Sequence, residues 1–248
     1  MIALTHGDST AEIVPERGAI CSRLRLGTDE VLYLDAATLG DPQKNVRGGI
    51  PVLFPIAGRP PPGSPLKQHG FARNLPWEAV RAGESRLECR LRTGPREDFP
   101  WPTDSLLAFT LSAQALRIDF TAHNPGDEPM PFQLGFHPYF LVSDKAAARV
   151  DTSATRAFDN RTGTTGPPGR IDFTRGELDL HLLDHGESGT ALHRPPEPPV
   201  KLRWSPEFQL LVLWTLPERR FICVEPWTAR GPSLPAGETR MLSFEISI

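Results

Sequence analysis

The sequence predicts an all-β protein. Three observations lead there. Apolar and polar residues alternate over short stretches, as in Leu87-Glu88-Cys89-Arg90-Leu91 and Leu116-Arg117-Ile118-Asp119-Phe120, the period of a half-buried strand. The 27 prolines and 21 glycines fall between such stretches, which favours strands and turns over helices. No long amphipathic helical pattern and no internal repeat is evident.

In chain order, residues 11–14, 19–26 and 31–34 read as strands, punctuated by Pro15, Gly18, Gly27 and Asp29. A polar turn around Asp41-Pro42-Gln43 leads to Arg47-Gly48-Gly49-Ile50-Pro51-Val52-Leu53-Phe54-Pro55. Paired glycines allow positive φ or close packing. Either a tight turn presents Arg47 to a polar ligand, or a hairpin leaves it solvated. Residues 56–68 form a proline-rich loop with Arg59 and Lys67, expected on the surface. It delivers His69-Gly70-Phe71-Ala72-Arg73. His69 can bond hydroxyls or cap a turn, and Arg73 suits a carboxylate or phosphate.

Residues 84–93 place Leu87, Cys89 and Leu91 inward and Arg86, Glu88, Arg90 and Arg92 on a solvated face. Strands at 105–112 and 116–124 follow, then the turn Pro125-Gly126-Asp127-Glu128-Pro129. The next segment, Phe132-Gln133-Leu134-Gly135-Phe136-His137-Pro138-Tyr139-Phe140, is the most aromatic of the chain. It reads as the returning strand of a hairpin, ending at Pro138, which cannot donate to a ladder. His137 at that end either exchanges a proton in a ring-walled pocket or is tied to a backbone carbonyl.

Residues 143–170 read as long loops with a short strand near 148–151. Residues 176–185 are ambiguous between helix and strand. His181 and His185 have helical metal-ligand spacing, but HExxH is absent and no third ligand is near, so no metal is expected. Asp179 and Asp184 could each reach a ligand hydroxyl or cap a turn. Residues 200–204, 208–215 and 221–225 are strands, the last running into Cys223-Val224-Glu225-Pro226-Trp227. A carboxylate ending an apolar strand is desolvated, which raises its pKa and suits a general base; the alternative is an edge glutamate paired with arginine. Leu242, Phe244, Ile246 and Ile248 alternate in the closing strand.

Composition bounds the rest. With 248 residues and a hydrophobic fraction of 39%, the chain can bury a sizeable core as one domain, 1–248. A net charge of −3 gives no case for nucleic acid or an anionic membrane. Three widely spaced cysteines without a CxxC pair predict neither a disulfide nor a zinc framework, and fit a reducing cytoplasm. The N-terminus shows no signal-peptide or membrane-span pattern. There is no GxGxxG, P-loop, GxSxG elbow or EF-hand loop.

Four motifs together, Arg47-Gly48-Gly49-Ile50-Pro51, His69-Gly70-Phe71-Ala72-Arg73, Gly135-Phe136-His137-Pro138-Tyr139-Phe140 and Cys223-Val224-Glu225-Pro226-Trp227, resemble the aldose 1-epimerases, most closely the hexose-6-phosphate branch. They stand in the family's order and span most of the chain. The resemblance implies a galactose-mutarotase-like supersandwich of antiparallel sheets. It implies a cofactor-free interconversion of α- and β-anomers of a hexose or hexose 6-phosphate, with a small-molecule sugar as the partner and the oligomeric state left open. By position it implies His137 as general acid and Glu225 as general base, on opposite sides of the sugar. Arg47, His69 and, more loosely, Asp179 would contact substrate, and Arg73 matches an arginine of the sugar-phosphate branch. Phe136, Tyr139 or Trp227 could stack on the sugar or pack in the core. The competing expectation is a carbohydrate-binding protein without turnover on the same fold.

Overall fold

The computed structural model describes residues 1–248. Two eight-stranded antiparallel sheets carry most of the chain. In spatial order, the first comprises Arg149–Val150, Gly189–Arg194, Glu197–Trp204, Thr239–Ser247, Ala115–His123, Thr103–Leu111, Arg86–Thr93 and Glu78–Ala82. The second comprises Thr164–Gly166, Ala157–Asp159, Leu178–Leu182, Leu210–Thr215, Phe221–Trp227, Gly135–Phe136 and Val52–Leu53, with Tyr139–Leu141 also paired to Phe221–Trp227. A four-stranded sheet of Ile2–His6, Ser9–Val14, Ile20–Leu26 and Asp29–Glu30 opens the chain.

The alternation read from the sequence decides which side chains meet. Leu116, Ile118, Phe120 and Ala122 of the first sheet share one core with Leu211, Leu213, Ile222 and Val224 of the second. Aromatic rings bridge the two layers: Phe136 stacks on Phe244 with centroids 5.2 Å apart, and Phe54 meets Phe120 at 5.1 Å. Phe136 is therefore a core residue and takes no part in a cleft. The only helices are Ala36–Gly40 and two short 3-10 turns, Pro15–Arg17 and Ala72–Asn74. No helix is long and apolar enough to cross a membrane.

Two expectations need correction, and two strands escape the alternation. The aromatic segment does not return as a hairpin partner of Ala115–His123. That strand is flanked by Thr103–Leu111 and Thr239–Ser247. After the proline turn the chain crosses to the second sheet, where the Gln133 N–H bonds the Pro55 carbonyl and Gly135 pairs with Leu53 and Trp227. Residues 31–34 make only isolated bridges, Leu32 to Phe140 and Leu34 to Gly48. Ile2–His6 and Glu78–Ala82 are strands that alternation does not announce, because one buries only Leu4 and the other is exposed throughout.

Candidate active site

The face of the second sheet turned away from the core is the floor of a cleft of about 600 Å³. Its composition follows from register and a period of two. Phe158 pairs with His181, His181 with Val212, and Val212 with Glu225. Pairing of Gly135 with Trp227 and Tyr139 with Cys223 places His137 opposite Glu225. One row across the floor therefore reads Phe158, His181, Val212, Glu225, His137. Two residues along each strand lies a parallel row of Asp179, Trp214, Cys223 and Tyr139. The alternate residues, Leu180, Leu211, Leu213, Ile222 and Val224, pack into the core. One sheet thus supplies a cleft-facing side and a core-facing side from the same strands.

His137 sits where the strand breaks. Pro138 interrupts the ladder between Gly135–Phe136 and Tyr139–Leu141. The imidazole stacks flat on Tyr139, centroids 4.7 Å apart, and meets Trp214 edge-on at 5.6 Å. Its Nδ1 lies 3.4 Å from Oε1 of Glu225, yet the two are not aligned as a hydrogen bond and Nδ1 has no partner. The Glu225 side chain is 1% exposed, and Oε2 accepts the indole N–H of Trp227 at 3.1 Å. Burial drives both groups toward neutrality. It pushes the His137 imidazole well below its usual pKa, helped by His69, Arg73 and Arg47. It pushes the Glu225 carboxyl well above its usual pKa, helped by the Asp179 charge and opposed by the Trp227 bond and Arg73.

His69 is held by its backbone. It adopts φ +68, followed by Gly70 at φ +67. A Cβ on Gly70 would lie 2.2 Å from the Phe54 carbonyl oxygen, so this turn requires glycine. The Gly58 N–H donates to His69 Nδ1 at 3.0 Å. The neutral ring therefore carries its proton on Nε2. Burial, then Arg73, lowers the pKa of His69 to about 3. Across the cleft, Asp179 Oδ2 accepts from Asn160 Nδ2 at 2.6 Å and Oδ1 lies 3.2 Å from His181 Nε2. Burial alone would raise the Asp179 pKa, but the bonds from His181 and Asn160 outweigh it and hold it low. The His181 ring meets Trp227 edge-on at 5.3 Å.

All six residues singled out from the sequence, His137, Glu225, Arg47, His69, Arg73 and Asp179, line this cleft. The Arg47 guanidinium lies over the Trp214 ring, 5.4 Å from its centroid. Arg73, half-buried, donates to the Gln68 carbonyl at 3.1 Å, and desolvation lowers its pKa. Arg59 reaches the cleft, whereas Lys67 does not. His181 and His185 separate because the segment is the strand Leu178–Leu182: His181 enters the cleft while His185 is buried against Trp204. Asp184 caps the backbone of Thr155 and Arg156 instead of facing a ligand.

Sequence reasoning missed Trp214, Asn160 and Arg230, and weighed His181 only as a metal ligand. All four line the cleft. Trp214 hides in a strand that is apolar on both faces, Leu211 and Leu213 inward, Leu210, Val212 and Trp214 outward, so period-two alternation cannot flag it. Arg230, anchored on the Arg59 carbonyl at 2.6 Å, arrives through a loop contact that no local pattern encodes.

A family model described as Aldose 1-epimerase matches residues 1–247. Among curated relatives, the protein named "Putative glucose-6-phosphate 1-epimerase" in Escherichia coli K12 is 31% identical over 64% of this chain and 54% of its own length. The Salmonella typhimurium relative of the same name is likewise matched over 54% of its length, so the chain spans about half of each. The Cenchrus ciliaris protein of that name is 28% identical over 92% of this chain and 78% of its own. Among solved structures, the Slr1438 protein of Synechocystis sp. PCC 6803 superposes with a TM-score of 0.93 at 31% identity, covering 99% of this chain and 94% of that one. A galactose mutarotase-like protein from Lactobacillus casei superposes at 0.79 with 22% identity, over 100% of this chain and 99% of that one, a likeness of fold.

Proposed function

The chain belongs to the aldose 1-epimerase family, and from that premise we propose that it interconverts the α- and β-anomers of a hexose or hexose 6-phosphate. The observation that carries this reading is the pairing of His137 with Glu225 at the floor of a polar cleft, Nδ1 and Oε1 3.4 Å apart. Ring opening removes a proton from the C1 hydroxyl while the ring oxygen gains one. Both oxygens are bonded to C1, so a base and an acid standing side by side can serve them together. This differs from the expectation of groups on opposite sides of the sugar, and the chemistry is the same.

Glu225 takes the C1 hydroxyl proton and His137 delivers one to the ring oxygen. The open-chain aldehyde turns about C1–C2, and closure runs the transfers in reverse. Glu225 carboxyl with neutral His137, favoured by burial, and Glu225 carboxylate with protonated His137 hold the same number of protons. Passage between them needs no exchange with solvent. Arg73 favours the carboxylate. His69, with its proton on Nε2, donates to a sugar oxygen, and Asp179 accepts from a hydroxyl. Trp214 and Trp227 offer ring faces and edges to the sugar's C–H surface.

A phosphate on the substrate is supported by four arginines lining the cleft, Arg47, Arg59, Arg73 and Arg230, and by the names of the curated relatives. The test is anomer exchange by NMR on the purified protein, with glucose, galactose and glucose 6-phosphate in parallel. Exchange above the spontaneous rate supports the proposal, and acceleration of the phosphate alone assigns the arginines. No acceleration of any of the three overturns the hexose reading in favour of sugar binding without turnover.

A further inference from the structure

Beneath the cleft, a third group joins His137 and Glu225. Cys223 stands two residues before Glu225 on the same strand, so both point to the same sheet face. It pairs with Tyr139, which stands two residues after His137. These relationships gather one imidazole nitrogen, one sulfur and one carboxylate oxygen, all buried, within 4.8 Å of one another. The His137 Nδ1 at this point is buried and has no hydrogen-bond partner, in a side chain only 9% exposed. A buried nitrogen lone pair or N–H left unmatched is costly, and this one lies 3.4 Å from the Glu225 Oε1. We infer that His137, Cys223 and Glu225 form a binding site for a single thiophilic divalent cation, zinc being the type, that inhibits sugar turnover. Nitrogen, sulfur and oxygen in one set suit zinc, with the fourth position of a tetrahedron left toward the cleft. His137 and Glu225 both line the cleft, which gives the ion its entry path.

The chemistry of binding is a displacement of protons. The Cys223 thiol proton goes to solvent as the metal–sulfur bond forms, together with any proton held by Glu225. The metal occupies the lone pairs that the proposed acid and base use, so bound metal and turnover are exclusive. Neither of the other cysteines offers this arrangement: the Cys21 thiol rests on the Arg23 carbonyl at 3.3 Å, and neither Cys21 nor Cys89 belongs to a cluster of ligating side chains.

The test uses the full chain, with Co²⁺ as the spectroscopic probe and Zn²⁺ as competitor. One equivalent of Co²⁺ is expected to produce a thiolate-to-cobalt charge-transfer band that Zn²⁺ abolishes. The band is expected to vanish in Cys223→Ser and Cys223→Ala and to persist in a Cys21→Ala, Cys89→Ala double variant. Zn²⁺ is expected to slow anomer exchange in the parent and to leave Cys223→Ser at its metal-free rate. Absence of a sulfur band in the parent, or its survival without Cys223, overturns the proposal. The spectrum stands apart from turnover, so a chain inactive on every sugar tested would count against the mutarotase reading and leave the metal site to be judged by its absorption.

Discussion

Trp227 donates its indole N–H to Oε2 of Glu225 at 3.1 Å, from two residues further along the same strand. The bond aims the carboxylate and is one of two influences holding its pKa down against burial, the other being Arg73. Trp227→Phe removes the donor and keeps an aromatic ring. If Glu225 acts as the base, the acid limb of the kcat/KM profile moves to higher pH, because the carboxyl then ionises later. An unshifted profile separates Trp227 from the base.

Glu225→Gln is expected to lower kcat by about 10²–10⁴-fold, the usual contribution of one acid–base group, with an unchanged circular dichroism spectrum. Its stability should move the other way. A carboxyl whose folded pKa lies above the ordinary value of 4.5 binds its proton more tightly folded than unfolded. Stability is then lost as pH rises from about 4.5. The glutamine variant should match the parent in acid and exceed it in urea midpoint near neutrality.

His69 gives the opposite slope. Its folded pKa is lowered from 6.5 to about 3, so the unfolded chain takes up a proton first as pH falls. The stability linked to neutral His69 is present above about 6.5 and is lost progressively toward about 3. His69→Gln, which keeps a donor and does not titrate, should flatten the urea-midpoint profile in that window.

Arg47→Ala and Arg73→Ala should each raise KM for glucose 6-phosphate by about 10- to 100-fold, the worth of a charge-assisted hydrogen bond of about 1.5–3 kcal/mol. KM for glucose should change far less. Equal losses on both substrates would mean that these arginines contact the sugar itself.

Gly135→Ala probes the packing that seats Trp227. A Cβ at residue 135 would lie 2.6 Å from Trp227 Cδ1 and 3.1 Å from the Ala57 methyl. The indole must shift, at about 1–3 kcal/mol for overpacking, and its bond to Glu225 shifts with it. A lowered urea midpoint together with lowered kcat is expected, and full activity would mean that the indole position is not needed.

The sequence by itself determined the all-β class, most of the strands and the six cleft residues His137, Glu225, Arg47, His69, Arg73 and Asp179. Period-two patterns and proline breaks act locally and are visible in one dimension, and the four motifs surround most of the polar side chains of the cleft. Tertiary structure decided how those strands are shared between sheets. It sent Gly135–Phe136 and Tyr139–Leu141 to the second sheet, made Phe136 a core residue against Phe244, and divided His181 from His185. It also added Trp214, Asn160 and Arg230 to the cleft. The physical reason is that register between strands distant in the chain, such as His137 against Glu225, is set by long-range pairing and burial. A strand apolar on both faces carries no local sign of which face meets solvent, and an arginine's stem can be seated by a loop far away in sequence.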